Sequence, residues 1–412
     1  METNEIHLLP YPDGKTFAFT IIDDTDMATL ETVRPVYDFL FSLGLRTTKT
    51  IWVKDSGRAP APAGDAGDTL ERPDYAQYLR DLSRHNFEIA LHNVCSQSAE
   101  RDQITAGLER FKDFFGEYPK INVHHEKNRE NLYFAFAQAG GARTGPFRSS
   151  LFRTLYRMVD GIRGGAPLDN HGCSGEDPKS PYFWGDVCRS KIRYVRSNLF
   201  FRDLNTLNCN PLMPYTSSDT PFVNYWFDSS NGQNAACFNS ILRDEQISRL
   251  KSERGCSLLY THFGMGFVSA NQGKLELNPE SRRRLQAIAG DSDGWYAPTS
   301  EILDRLLAFQ RVTVLPVRGG AVISNLNPFD LTSVTVCAEP HRAFHDLQSG
   351  YYTTNEKGIL ALPVLPASRS LVLVRSEAVH RVRRWYEEQG HDLYLDCRTA
   401  ASKLRSRLLN YA

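Results

Sequence analysis

Apolar residues recur along this chain with a period that changes several times, and each change marks an element. The stretch KTFAFTIIDDTD, residues 15–26, is apolar almost without interruption through Ile22 and then stops at the adjacent carboxylates Asp23 and Asp24, with Asp26 just beyond. A run of that length rich in Phe, Thr and Ile predicts a fully buried strand. Leu30, Val33, Val36, Tyr37, Leu40 and Leu43 then return at helical spacing over 28–45, and Gly44 supplies the stop. Strand 47–53, helix 73–85, strand 87–92, helix 100–115, strand 120–125 and helix 129–139 follow in turn. Strands and helices alternating in this way predict a parallel sheet with right-handed crossovers, doubly wound or closed as a barrel. Residues 56–70, rich in Pro, Ala, Gly and Asp, read as an excursion rather than a linker, because the alternation resumes beyond them.

From 140 to 239 the periodicity weakens. Gly, Pro and Asn are frequent, aromatics cluster in SPYFWGD and VNYWFDSSNG, and only 192–201 reads clearly as a strand. Long irregular segments inside a compact domain usually build a binding surface. Helix 244–253, strand 256–262 and helices 279–289 and 299–309 restore regularity and close a first domain, 1–310. Short period-two runs (RVTVLPV, AVISNL, SVTVCA, SLVLVRS) then predict a small antiparallel β domain over 311–376. In the tail, 377–412, the apolar positions Val379, Val382, Trp385 and Tyr386, then Leu393, Leu404, Leu408 and Leu409, predict two short amphipathic helices.

The chain has 412 residues, 41% hydrophobic and 23% charged, enough for one large core and a smaller appendage. Lys plus Arg and Asp plus Glu both total 48, which argues against nucleic acid or an anionic membrane as a partner. The first residues, METNEIHLLPYPDG, lack a basic region followed by an apolar one. No apolar run approaches the roughly 18 residues of a membrane helix, so the expectation is a soluble, cytoplasmic protein. Eight cysteines without a Cys-x-x-Cys pair predict reduced thiols rather than a disulfide frame or a zinc knuckle.

The polar residues at strand ends carry the candidate chemistry. Three later strands end in histidine: His92 in IALHN, His124 and His125 in NVHHE, and His262 in LYTHFG. Alone, each reads as a core histidine with a satisfied hydrogen bond, and Asp24 or Asp26 as a cap of the helix near Ala28. On parallel strands, however, all of them lie at one face of the sheet together with Asp23 and Asp24. Carboxylates and imidazoles so gathered suit Zn²⁺ or a similar divalent ion. Because side chains alternate along a strand, His124 and His125 point to opposite sides, and only one can face that site.

A buried strand ending in Asp-Asp, a later strand ending in His and a last strand ending in apolar-x-His resemble the polysaccharide deacetylases of the NodB-homology fold over residues 15–310. The resemblance implies a distorted barrel of seven or eight parallel strands and a metal-dependent hydrolase that removes an N-acetyl or O-acetyl group from a carbohydrate. The family motif Thr-Phe-Asp-Asp-Gly, with a general base and then a metal ligand, carries over to Asp23 and Asp24 in TIIDDTD. The His-Ser/Thr-x-x-His motif matches at His92 in HNVCS, and the closing Leu-x-His motif, whose His is the general acid, at His262 in LLYTH.

The sequence also departs from that pattern. Ser96 stands where the second metal-binding His belongs, Tyr260 where the family has Leu, and INVHHEKN where an Arg-x-Pro loop is usual. The pair His124 and His125 suggests a substitute for the missing ligand. The expected set is therefore Asp24, His92 and one of His124 or His125 on a divalent ion, expected to be Zn²⁺, with Asp23 as base and His262 as acid. Aromatic and acidic residues of the irregular segment, Trp184, Asp186, Trp226 and Asp228, are the candidates for holding sugar rings and hydroxyls, against the alternative of an aromatic core under long loops. A relative without turnover that binds a glycan or nucleotide sugar and a glycoside hydrolase with paired carboxylates remain as the competing classes.

Overall fold

The structure is a computed structural model that describes residues 6–55, 66–126, 128–134, 172–271, 274–317, 319–346 and 350–388. It divides into two compact units: Met1–Phe17 with Asp293–Trp295 and Asp304–Ala412, and Ala18–Ser292 with Tyr296–Leu303.

The first unit is antiparallel. Its N-terminal strand β1 (His7–Leu9) pairs with Leu331–Cys337, which pairs with Ile359–Leu365, making a three-stranded sheet. A five-stranded sheet runs in the order Val312–Val317, Gly320–Asn325, Ser370–Arg375, Ala343–Asp346, Tyr351–Thr353. The inward positions of both sheets, among them Ile323, Val334, Val336, Phe344, Leu362 and Leu373, form one apolar cluster, the usual outcome of period-two alternation. The β domain expected from residue 311 thus also recruits β1, which is too short to announce itself by periodicity. Val379–Glu388 is helical, as the tail's first apolar set predicts; the second set, Leu393 to Leu409, lies outside the described residues.

The second unit is a barrel. Seven parallel strands follow one another around it: β2 (Phe17–Asp23), β3 (Thr48–Ile51), β4 (Glu88–Leu91), β5 (Ile121–Asn122), β6 (Tyr194–Phe201), β7 (Tyr225–Asn231) and β8 (Cys256–Thr261). β8 returns to pair with β2 from Ala18↔Cys256 to Asp23↔Thr261, and the sheet closes. Every residue of β2, β3 and β8 is buried, as in parallel strands covered on both faces. Helix α1 (Leu30–Ser42) starts with a capping box of Thr29 and Thr32 and buries Val33, Val36, Tyr37 and Leu40 against the barrel's outer side. Helix α2 (Pro73–Arg84) has Pro at its first turn, and α3 (Arg101–Phe115) ends at Gly116 with φ 91°.

Four elements differ from the sequence reading. β7 and the helices Gly185–Lys191 and Ala235–Ile241 arise inside the segment read as irregular, because polar Asp228, Ser229 and Ser230 interrupt the apolar signal of β7. The helix expected over 129–139 does not start at Arg129: Asn128 to Asn131 form a hydrogen-bonded turn, and the first helical residue is Phe134; residues 135–139 lie outside the described set.

Candidate metal centre

The strand ends bring five polar side chains to one rim of the barrel. At the end of β2 the Asp24 N–H donates to the Thr261 carbonyl of β8 at 2.8 Å, and Asp26 stands two residues further on. His92 follows β4 and His262 follows β8, each fixed by its backbone N–H, to the carbonyls of Ile51 (3.0 Å) and Gln233 (3.1 Å). Gly264 lets the loop after β8 meet the loop after β2: a Cβ there would lie 2.4 Å from the Met27 carbonyl oxygen. That close approach helps carry His262 to Asp26.

Asp26 is the hub. Its Oδ2 lies 2.7 Å from His262 Nε2 and 3.2 Å from His92 Nε2, and its Oδ1 lies 3.0 Å from His125 Nε2. All four side chains are buried. The His92 and His125 rings meet edge to face at 5.2 Å, and Trp52 stacks on the first and stands perpendicular to the second. Burial raises the Asp26 carboxyl, but the His92 charge and the three imidazoles around it outweigh this and hold the group far below the ordinary carboxylate range.

The other ring nitrogens settle the tautomers. Nδ1 of His92, His125 and His262 face the oxygens of Val123 (3.2 Å), Asn128 (3.2 Å) and Gln233 (2.6 Å). These oxygens only accept, so each Nδ1 carries hydrogen and Nε2 is the nitrogen left for Asp26 or an ion. His262 lies between two acceptors; burial lowers its pKa, yet the Asp26 carboxylate more than offsets this and raises it.

The donor set fits a divalent ion. Ligand atoms of Asp26, His92 and His125 lie within 4.8 Å of one another, and the same holds for Asp24, Asp26 and His262. Asp26 Oδ1 is buried without a hydrogen-bond partner, although His125 Nε2 is 3.0 Å away. An ion with bonds of roughly 2.0–2.2 Å to one carboxylate and two imidazoles would satisfy that oxygen.

Asp24 sits beside this cluster and is held by Arg196 of β6 through two parallel bonds, at 2.9 and 2.5 Å. Such a pair fixes the carboxylate plane. Arg196 is itself buried and lies over the rings of Tyr260 (4.5 Å) and Phe200 (5.3 Å).

Several expected roles need correction. Asp23, expected as the base, is fully buried and takes up three donors: Lys49 Nζ at 3.0 Å, the Tyr37 hydroxyl at 3.1 Å and the Phe263 N–H at 2.7 Å. Burial raises its pKa, with Lys49 and the Phe263 N–H opposing. Alternation along β2 sends it to the side of α1 and away from Asp24. His124 stays outside the cluster as well. Its Nε2 accepts from the Leu132 N–H at 3.3 Å, its ring packs on Trp226, and burial, with Arg196 and His92, pushes its pKa down to about 3. It is His125, past the end of β5, that stands beside His92.

The four residues expected to hold sugar are engaged within the protein. Trp184 is 2% exposed and donates its indole N–H to the Glu130 carbonyl at 2.6 Å; Trp226 is 0% exposed and donates to the Thr220 hydroxyl. No ring face is left for stacking. Asp228 accepts from Ser197, from Asn210 at 2.5 Å and from Tyr215 at 3.2 Å, and Asp186 forms a surface pair with Arg101 at 2.7 Å. The cap reading of Asp24 and Asp26 also falls, since Thr29 caps α1 and the Asp68 carboxylate accepts from the Leu30 N–H.

Sequence reasoning passed over Arg196, Lys49 and Glu130. A lone basic residue inside a strand, as in TKTI or YVRSNLFF, was the available signal, because burial of a charge demands a partner. Glu130 offered no such signal.

No protein-family model matches the chain, and no curated protein sequence matches it. Solved structures resemble it at low identity. One described as a polysaccharide deacetylase from Mycobacterium smegmatis is 13% identical, with TM-score 0.39, covering 73% of this chain and 93% of that one. The Puue allantoinase is 11% identical, with TM-score 0.39 and coverages of 72% and 92%. One described as a polysaccharide deacetylase from Pseudomonas aeruginosa PAO1 is 10% identical, with TM-score 0.38 and coverages of 72% and 93%. Among the described residues, no helix is long and apolar enough to cross a membrane.

Proposed function

We propose that the chain is a metal-dependent hydrolase that removes an acyl group, N-acetyl or O-acetyl, from a carbohydrate. The observation that carries the proposal is the convergence of His92, His125 and His262 on the single carboxylate Asp26, with Asp24 beside it. The carbohydrate rests on the motif resemblance of TIIDDTD, HNVCS and LLYTH; the hydrolysis rests on the chemistry of the cluster.

Asp26, His92 and His125 would hold the ion, and Zn²⁺ is the ion that a carboxylate with two imidazoles favours. A bound divalent ion polarises a carbonyl and lowers the pKa of water. Asp24, oriented by Arg196, accepts the proton of the water that attacks the acyl carbon. His262 carries a proton at each nitrogen and donates the one at Nε2 to the departing nitrogen or oxygen as the acyl bond breaks. Water adds to the acyl carbon, and the products are a carboxylate and a free amine or hydroxyl. Asp23 with Lys49 keeps the strand end in place.

The test is metal content and acetate release on one preparation. Purified protein loaded with Zn²⁺ is expected to retain about one ion and to release acetate from N-acetylated oligosaccharides, and chelation should stop release. Turnover that persists after the ion has been stripped would overturn the reading.

A further inference from the structure

Behind the cluster lies a carboxylate that touches no ion-facing atom. Glu130 is 1% exposed and receives three hydrogen bonds: Asn93 Nδ2 and Asn128 Nδ2 both donate to Oε1 at 3.0 Å, and the Ala99 N–H donates to Oε2 at 3.1 Å. Asn93 directly follows His92, and Asn128 reaches His125. Asn128 Nδ2 also donates to the Cys95 carbonyl at 3.2 Å, so both of its amide hydrogens face acceptors. Its oxygen must then face His125 Nδ1, at 3.2 Å. Asn131 ties the same corner together: its oxygen accepts from Asn93 at 2.8 Å and its Nδ2 donates to the His125 carbonyl at 2.7 Å.

We infer that Glu130 is the positioning residue of the metal centre: through Asn128 it fixes the hydrogen of His125 on Nδ1, and through Asn93 it holds the chain next to His92, so that two ligands from different strands present Nε2 to one point. The inference rests on the proposed metal reading for its purpose but not for its geometry. Carboxylate character at position 130 is what the arrangement needs, because three donors converge there and an amide in its place would turn a donor toward at least one of them. Partners one shell removed from a ligand orient the ring and typically change metal affinity by about 10–100-fold when removed.

Glu130→Gln and Asn128→Ala test this, in the full chain at pH 8, above the value of about 7 to which burial raises the Glu130 carboxyl. Circular dichroism and thermal melting first establish that each variant is folded, and Asn128→Ala carries the test if Glu130→Gln is not. Two readouts follow. Zn²⁺ affinity by competition with a chelating dye should weaken by about 10–100-fold. In the metal-free protein the downfield, slowly exchanging proton of His125 Nδ1 should be lost to solvent exchange, while that of His92, bonded to the Val123 carbonyl, should persist. A folded variant that keeps wild-type affinity and an unchanged His125 proton overturns the relay. If the wild type itself takes up no divalent ion, the metal reading fails, and the His125 proton alone decides whether Glu130 positions the ring.

Discussion

Asp23 and Asp26 leave the same strand three residues apart and meet opposite fates. Asp23 faces an ammonium, a phenol and a backbone N–H, groups whose hydrogens are fixed. Asp26 faces three imidazole Nε2 atoms, whose hydrogens can be exchanged for an ion. Both are buried, so burial does not separate a structural carboxylate from a ligand. The kind of neighbour does: permanent donors close a site, and exchangeable nitrogens leave it ready for a cation.

Removing each carboxylate has a different consequence. The largest effect belongs to Asp26→Ala, which takes away the hub; metal analysis is expected to find no bound Zn²⁺ and acetate release is expected to fall to background. Next comes Asp24→Asn, which should keep the ion and lower kcat/KM by about 10²–10⁴-fold, the range for loss of a general base. Metal loss in this variant would make Asp24 a ligand instead. Asp23→Ala should strike stability, by about 3–5 kcal/mol in chemical denaturation, because Lys49 would be left buried and unpaired. Replacing both, as Asp23→Leu with Lys49→Met, should recover much of that loss. A double variant as unstable as the single one would show that the pair does more than balance itself.

The same contrast explains what was legible in the sequence. The parallel α/β sheet could be read because the largely apolar runs of β2, β4 and β8 are separated by helical periods, while its closure into a barrel was implied only by the family resemblance. That histidines end the strands could be read too. Which carboxylate they meet could not. Asp23 and Asp24 are adjacent, as the family motif has them, but the chain leaves β2 so that Asp24 turns to Arg196 and the histidines find Asp26. Pairings such as Asp24 with Arg196, 172 positions apart, arise only when the barrel closes. Trp184 and Trp226 misled for the opposite reason: an aromatic residue near Asp and Gly resembles a sugar platform, yet each buries its ring and spends its N–H internally.

The smallest effect, and the sharpest on the ligand set, is expected at His124. His124 and His125 are neighbours in sequence, and alternation allows one of them to face the ion. His124 Nε2 accepts from the Leu132 N–H and its ring lies against Trp226, so its ligand-ready nitrogen is already used. A glutamine can place its amide oxygen near that N–H, which makes His124→Gln a mild change in packing. Zn²⁺ affinity in His124→Gln should match wild type within error, whereas His125→Ala should weaken binding severely, both read in the same dye competition. The reverse result would put the ring of His124 on the ion, detach Asp26 from His125, and leave Asp26 and His92 without their third partner.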